Sequence, residues 1–216
     1  MELPQHWPLP QAASLRDELV AAYADPGRHY HDTRHLSEVL DRLDELAAAG
    51  TAFDDAPVRL AAWFHDAVYD CERDAEERSA AWAEDSLGSF CPEETVAEVT
   101  RLVRSTETHV PEDGDANAAA LSDADLAVLA SEADRYAEYA ADVRREYAHL
   151  DEAEWRHGRA ELIRGLLGRE QLFHTDLGRS RWESVARTNL AAELDSLTVS
   201  AGSRGAAAGR SEQPVE

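Results

Sequence analysis

The run His31-Asp32-Thr33-Arg34-His35-Leu36-Ser37-Glu38-Val39-Leu40-Asp41-Arg42-Leu43-Asp44-Glu45-Leu46-Ala47-Ala48-Ala49-Gly50 decides the fold. Its apolar residues fall at Leu36, Val39, Leu40, Leu43 and Leu46, a spacing of three and four that lines one face of an α-helix. The spacing predicts a helix from about His31 to Ala49, closed by Gly50. The same rhythm continues on either side. Ser14 offers a cap for an earlier helix running to Tyr23, which Asp25-Pro26-Gly27 breaks. Asp54-Asp55-Ala56-Pro57 opens another helix, with the proline in the first turn, where its missing N–H does no harm. That helix carries Leu60, Ala61 and Phe64 and brings His65-Asp66 to its C-terminal end.

Further helices are predicted from Ala75 to Leu87 and from Pro92 to about Ser105, followed by a Pro- and Gly-containing acidic loop from His109 to Ala116. Helical spacing resumes from Leu121 to Leu129, through Tyr136, Tyr139, Val143 and Tyr147, through Trp155, Leu162, Ile163 and Leu166, and from Trp182 to Leu197. No segment alternates with the period of a strand. The expected fold is all-α: one domain over residues 1–198 with about eight to ten helices. A disordered tail is expected over 199–216, where Gly, Ala, Ser, Arg and Glu leave almost nothing to bury.

The chain has 216 residues, with 44 Asp and Glu against 21 Lys and Arg, for a net charge of -23. Every one of those cations is arginine. So negative a surface opposes nonspecific nucleic-acid binding, which needs cations to displace phosphate counterions, and disfavours anionic membranes. Cys71 and Cys91 form no Cys-x-x-Cys pair, which excludes a zinc ribbon and makes a disulfide framework unexpected. The N-terminus lacks the pattern of a signal peptide, and no segment has the run of apolar residues a membrane span needs. A cytoplasmic protein without a membrane partner is expected.

His65-Asp66 places two strong metal ligands at the end of an apolar stretch that includes Leu60, Trp63, Phe64 and Val68. Polar groups there cost free energy unless partnered, and a divalent cation is one partner. His31 and His35 stand four apart, on one face if the helix begins early enough. His31-Asp-Thr-Arg-His35 also parallels the zincin spelling His-Glu-x-x-His, but aspartate is shorter than glutamate and no clear third ligand follows. Asp123 and Asp125 interrupt the apolar run Leu121–Leu129, where Asp123 is also a candidate helix cap and Asp125 sits deeper.

Taken together, these residues resemble the HD superfamily of metal-dependent phosphohydrolases, in its predicted HD phosphohydrolase subfamily. The resemblance is carried by Tyr30-His31-Asp-Thr-Arg-His35-Leu, Ala-Trp63-Phe64-His65-Asp66-Ala-Val-Tyr69-Asp70, Glu76-Glu77-Arg78-Ser79-Ala80, Thr106-Glu-Thr-His109 and Asp123-Ala-Asp125-Leu, across residues 28–195. It implies that His35, His65, Asp66 and one of the two aspartates bind a metal, with Asp125 preferred from its Ala124-Asp125 setting and Asp123 kept as the alternative. The chain departs from the subfamily at Ala75, where an asparagine is usual.

A ligand set of two histidines and two carboxylates suits Mn, Fe, Co, Ni or Zn, with Mg also open. The implied activity is hydrolysis of a small phosphorylated substrate, a nucleotide being the expected class. Asp66, Glu77 and His109 are the candidate catalytic groups, and His31, Glu76 and Arg78 additional site residues. Arg34, Arg101 and Arg104 are further candidates to meet phosphate. A homodimer stays open. Two other readings compete: a helical module that holds metal for sensing or partner binding without turnover, and oxygen chemistry at two irons, which needs more ligands than the sequence assigns.

Overall fold

The computed structural model describes residues 3–71 and 73–205. Among them stand nine α-helices and no strand: α1 (Ala13–Tyr23), α2 (Thr33–Ala48), α3 (Asp55–Phe64), α4 (Ala75–Leu87), α5 (Glu93–Ser105), α6 (Ala116–Leu126), α7 (Ala133–Glu146), α8 (Glu152–Leu167) and α9 (Glu183–Gly205). Short 3-10 turns lie at Leu3–His6, Pro10–Ala12 and Ala127–Ala130, and a π-turn at Gly178–Trp182 leads into α9. No helix among the described residues is long and apolar enough to cross a membrane.

The apolar spacing in α2 is a core face: Leu36, Val39, Leu40, Leu43 and Leu46 are all buried. This face meets α6 and α3, while α5 packs against both α3 and α4. Trp63 and Phe64, the last two residues of α3, are fully buried, with Trp63 edge-on to Trp7 at 5.1 Å. Gly50 ends α2 with φ of 87°, a left-handed turn that favours glycine, and the Thr51 N–H returns to the Leu46 carbonyl.

Four boundaries differ from the sequence expectation, two of them for a capping reason. α2 starts at Thr33 because the Asp32 carboxylate accepts the N–H groups of Arg34 and His35, which leaves His31 outside the helix. α6 starts at Ala116 because Asp115 takes the Ala118 N–H, so Asp123 falls inside the helix and caps nothing. Ser14 is likewise not a cap: a 3-10 turn at Pro10–Ala12 feeds α1 directly. At the other end of the chain α9 continues through Gly205, into the stretch expected as tail, and residues 206–216 lie outside the described ones.

The tyrosine spacing of α7 also faces inward. Tyr136 and Tyr139 are buried, and the Tyr136 hydroxyl donates to Glu193 at 2.6 Å. Arg159 of α8 binds the same carboxylate at 2.8 and 3.1 Å and donates to the Tyr139 hydroxyl. This buried polar knot ties α7, α8 and α9 together.

Candidate metal centre

Four side chains from three separate segments point their donor atoms at one spot. His35, near the start of α2, and His65, just past α3, bring their Nε2 atoms within 3.0 Å. Asp66 Oδ2 lies 2.9 Å from His65 Nε2 and 3.3 Å from His35 Nε2. From α6, Asp125 Oδ1 lies 3.2 Å from His35 Nε2 and 3.6 Å from His65 Nε2. Nitrogen and oxygen donors bound about 2.1 Å from one ion stand about 3 Å apart when adjacent, so the spacing of His35, His65 and Asp66 fits a single cation. The donor chemistry fits too, since imidazole with carboxylate suits the divalent transition metals. His35, His65 and the half-buried Asp66 can therefore hold a metal ion, and Asp125 flanks the two imidazoles.

The backbone around the pair is held as firmly as the ligands. His65 is the C-cap of α3, and its Nδ1 hydrogen-bonds the Ala62 carbonyl at 2.8 Å, which turns Nε2 toward the cluster. The Arg28 guanidinium donates to the carbonyls of Asp66 (2.6 Å), Ala67 (2.8 Å) and His31 (3.0 Å), so one cation ties the His-Asp turn to the entry of α2. The Asp66 N–H donates to the Tyr23 hydroxyl at 3.2 Å. Neither Arg28 nor Tyr23 stands out in the sequence: Arg28 follows the Pro26-Gly27 break, and a cation that binds carbonyls leaves no spacing pattern.

The electrostatics are those of a mutually charged nest. Burial disfavours the charged forms of both histidines, but the carboxylates outweigh it: hydrogen bonds to Asp125 and Asp66 raise His35 to about 9, and the Asp66 charge holds His65 well above its usual value. Against burial in turn, the His65 charge and hydrogen bonds from both imidazoles hold Asp66 and Asp125 well below the usual carboxylate range.

The other candidates divide between the site and the surface. Asp123 faces away from the cluster: its carboxylate accepts the His174 N–H (2.7 Å), the Thr175 N–H (2.8 Å) and the Thr175 hydroxyl (2.7 Å). The same carboxylate crowds Gly178, where an added Cβ would come within 2.4 Å of Oδ2. Asp123 is thus corrected from metal ligand to a brace between α6 and the loop before α9. His109 belongs to the site, with Nε2 3.6 Å from Asp125 Oδ2 and a buried Nδ1 that has no hydrogen-bond partner. Burial pushes its pKa down, which keeps the ring neutral.

Glu77 does not reach the site: it is exposed and gives both oxygens to Arg104 at 2.6 and 2.9 Å. Its neighbour Glu76 instead lines the cleft above the metal cluster. Arg78 forks onto Asp70, Arg34 binds Glu38 and Glu138, and Arg101 binds Glu98 and Asp115. These arginines answer carboxylates on an acidic surface. A second His/Asp grouping, His6 with Asp41 and Asp44, has its Asp44 charge already matched by Arg59 at 2.7 Å.

His31 is beside the cluster and not in it. Its ring stacks on Tyr69 at 3.9 Å, and its Nδ1 hydrogen-bonds Glu146 Oε2 at 2.7 Å. Glu146 Oε1 accepts the N–H groups of His29, Tyr30 and His31 at 2.9, 2.8 and 3.0 Å. Burial raises the Glu146 carboxyl, but the His31 bond and these N–H donors overcome it and bring it down to about 2. Because the folded value lies below the ordinary value of 4.5, the carboxylate stabilises the fold above that pH, and the contribution fades as pH falls from 4.5 toward 2. Glu146→Gln is expected to lower unfolding free energy by on the order of 2 kcal/mol at pH 7. Urea unfolding at pH 7 and pH 3 checks this, with a smaller difference from wild type at pH 3.

No protein-family model, curated protein or solved structure matches this chain.

Proposed function

We propose that the protein is a metal-dependent phosphohydrolase acting on a small phosphorylated substrate, a nucleotide being the class implied by its HD resemblance. One observation carries this reading: His35, His65, Asp66 and Asp125 converge, and three of them line a cleft of about 470 Å³ that opens above the cluster. A structural metal site is closed by protein on all sides, whereas a site that acts on a ligand keeps one side open.

His35, His65, Asp66 and Asp125 would hold the ion, which when bound supplies positive charge for a phosphate and acidifies water. The chain's own groups do the remaining work. The Ala62 carbonyl and Arg28 fix the His-Asp turn, so the ligands do not need to reorganise when substrate arrives. His109 stands 3.6 Å from the outer oxygen of Asp125 and lines the cleft, where a leaving group would sit. Glu76, a carboxylate that lines the cleft, takes the general-base role in place of the exposed Glu77.

The position of Glu77 favours a second reading, a metal-holding helical module without turnover, because it removes one expected base. Metal analysis followed by a phosphate-release panel separates the two. Protein loaded with Mn²⁺, Ni²⁺, Co²⁺ or Mg²⁺ is expected to release phosphate from at least one nucleotide, sugar phosphate or simple ester. A His65→Ala, Asp66→Ala double variant is expected to release none. Stoichiometric metal with no phosphate from any member would overturn the hydrolase reading in favour of the module.

A further inference from the structure

The cleft is lined by two chemically different groups of side chains. One group is His65, Asp66, His109 and Asp125, with Arg169 bonded to the loop that carries His109. Arg169 donates to the carbonyls of Thr108 (3.0 Å) and His109 (3.4 Å) and, unlike the surface arginines above, is held by backbone carbonyls and not by a carboxylate. The loop that carries His109 therefore also positions a cation whose charge is left for an anion in the cleft.

The other group is Val128, Val143, Leu150, Trp155, Leu162 and Leu166. Leu162 is 54% exposed, a large apolar side chain left at the mouth. Three of the polar side chains that line the cleft are already engaged. Thr106 Oγ1 donates to the Val103 carbonyl at 2.7 Å. Arg159 is taken by Glu193 and the Tyr139 hydroxyl, and the Tyr147 hydroxyl is hydrogen-bonded with Tyr69. A sugar or nucleobase placed here would lose water from its hydroxyl or amide groups and find few partners in exchange, which is costly. An alkyl or aryl group would lose only unfavourable hydration.

Resting on the phosphohydrolase reading, we infer that the substrate is a phosphate monoester of an apolar alcohol, alkyl or aryl. Its phosphate lies at the metal end beside Arg169, and its apolar part lies against Trp155, Leu162 and Leu166. Arg169 is a positioning residue for the phosphate, and Leu162 sets chain preference. Hydrolysis breaks the phosphorus–oxygen ester bond, adds water across it, and leaves inorganic phosphate and the alcohol, with the proton passing to the alkoxide oxygen.

The test is a series of methyl, butyl and hexyl phosphate alongside a nucleoside monophosphate and glucose 6-phosphate, with hexylphosphonate binding measured by calorimetry. In wild type, kcat/KM is expected to rise at least tenfold from methyl to hexyl phosphate and to exceed that for the nucleotide and the sugar. Leu162→Gln, at an exposed position, is expected to flatten the series and weaken hexylphosphonate severalfold. Arg169→Met is expected to raise KM for every ester alike with a smaller change in kcat. A flat alkyl series with better turnover of the nucleotide or the sugar phosphate overturns this inference while the hydrolase reading stands. Hexylphosphonate binding that Leu162→Gln weakens, with no ester hydrolysed, supports the ligand class and overturns the hydrolase reading. Neither binding nor turnover overturns both.

Discussion

Asp66→Ala is expected to abolish stoichiometric metal binding and, with it, at least about 10³-fold of any metal-dependent phosphate release. The carboxylate contacts both imidazoles, at 2.9 and 3.3 Å, and makes the shortest contact to His65 in the cluster. Its removal leaves His35, His65 and Asp125, a set with one negative charge fewer around a divalent ion. The backbone of the turn should survive, because the Tyr23 and Arg28 contacts are made to the Asp66 main chain and not to its side chain. The variant should therefore keep its near-UV dichroism and lose only the rise in melting temperature that added metal gives wild type. A variant that still melts higher with Mn²⁺ or Ni²⁺, with a full equivalent of metal by elemental analysis, would remove Asp66 from the centre.

Much of this site is legible in the amino-acid sequence, and the reasons are physical. The apolar face of α2 announces a helix and carries His35 into the core one turn from its start. The run Leu60–Phe64 does the same for His65. Buried imidazoles next to carboxylates need compensation, so the pattern points at a cation.

What the sequence hides is set by contacts between distant segments. Glu77 and Glu76 are equivalent in sequence, and only the packing of α4 on α5 turns one toward Arg104 and the other to the cleft. His31 shares the spacing of a ligand, but Asp32 caps α2 one residue later and frees His31 to meet Glu146, more than a hundred residues away. Arg169 gives no signal at all, since its partners are carbonyls of a loop. Local rules read helices well. They do not say which of two adjacent acids a neighbouring helix will claim.

That last ambiguity makes the Asp123–Asp125 pair the sharpest test of the geometry. Both lie in α6 within one apolar run, and the helix rotation between them sends one to the metal cluster and the other to the loop before α9. Asp123→Ala leaves two main-chain N–H groups and the Thr175 hydroxyl without their acceptor in a buried place. An unmet buried donor costs about 1–3 kcal/mol, so the variant should lose about 3–5 kcal/mol of stability. In a domain of this size that is a fall in melting temperature of roughly 10 °C or more. Gly178, whose own N–H binds Thr175 Oγ1 at 3.0 Å, packs against the same carboxylate, so the π-turn into α9 should loosen as well. Metal stoichiometry should remain that of wild type wherever the variant is folded. Asp125→Ala should behave in the opposite way: it releases no backbone donor, so its metal-free melting point should move by less than half as much, yet its metal should be lost. Chemical denaturation and elemental analysis of the two variants side by side read both quantities. Loss of metal in Asp123→Ala with metal retained in Asp125→Ala would reverse their roles.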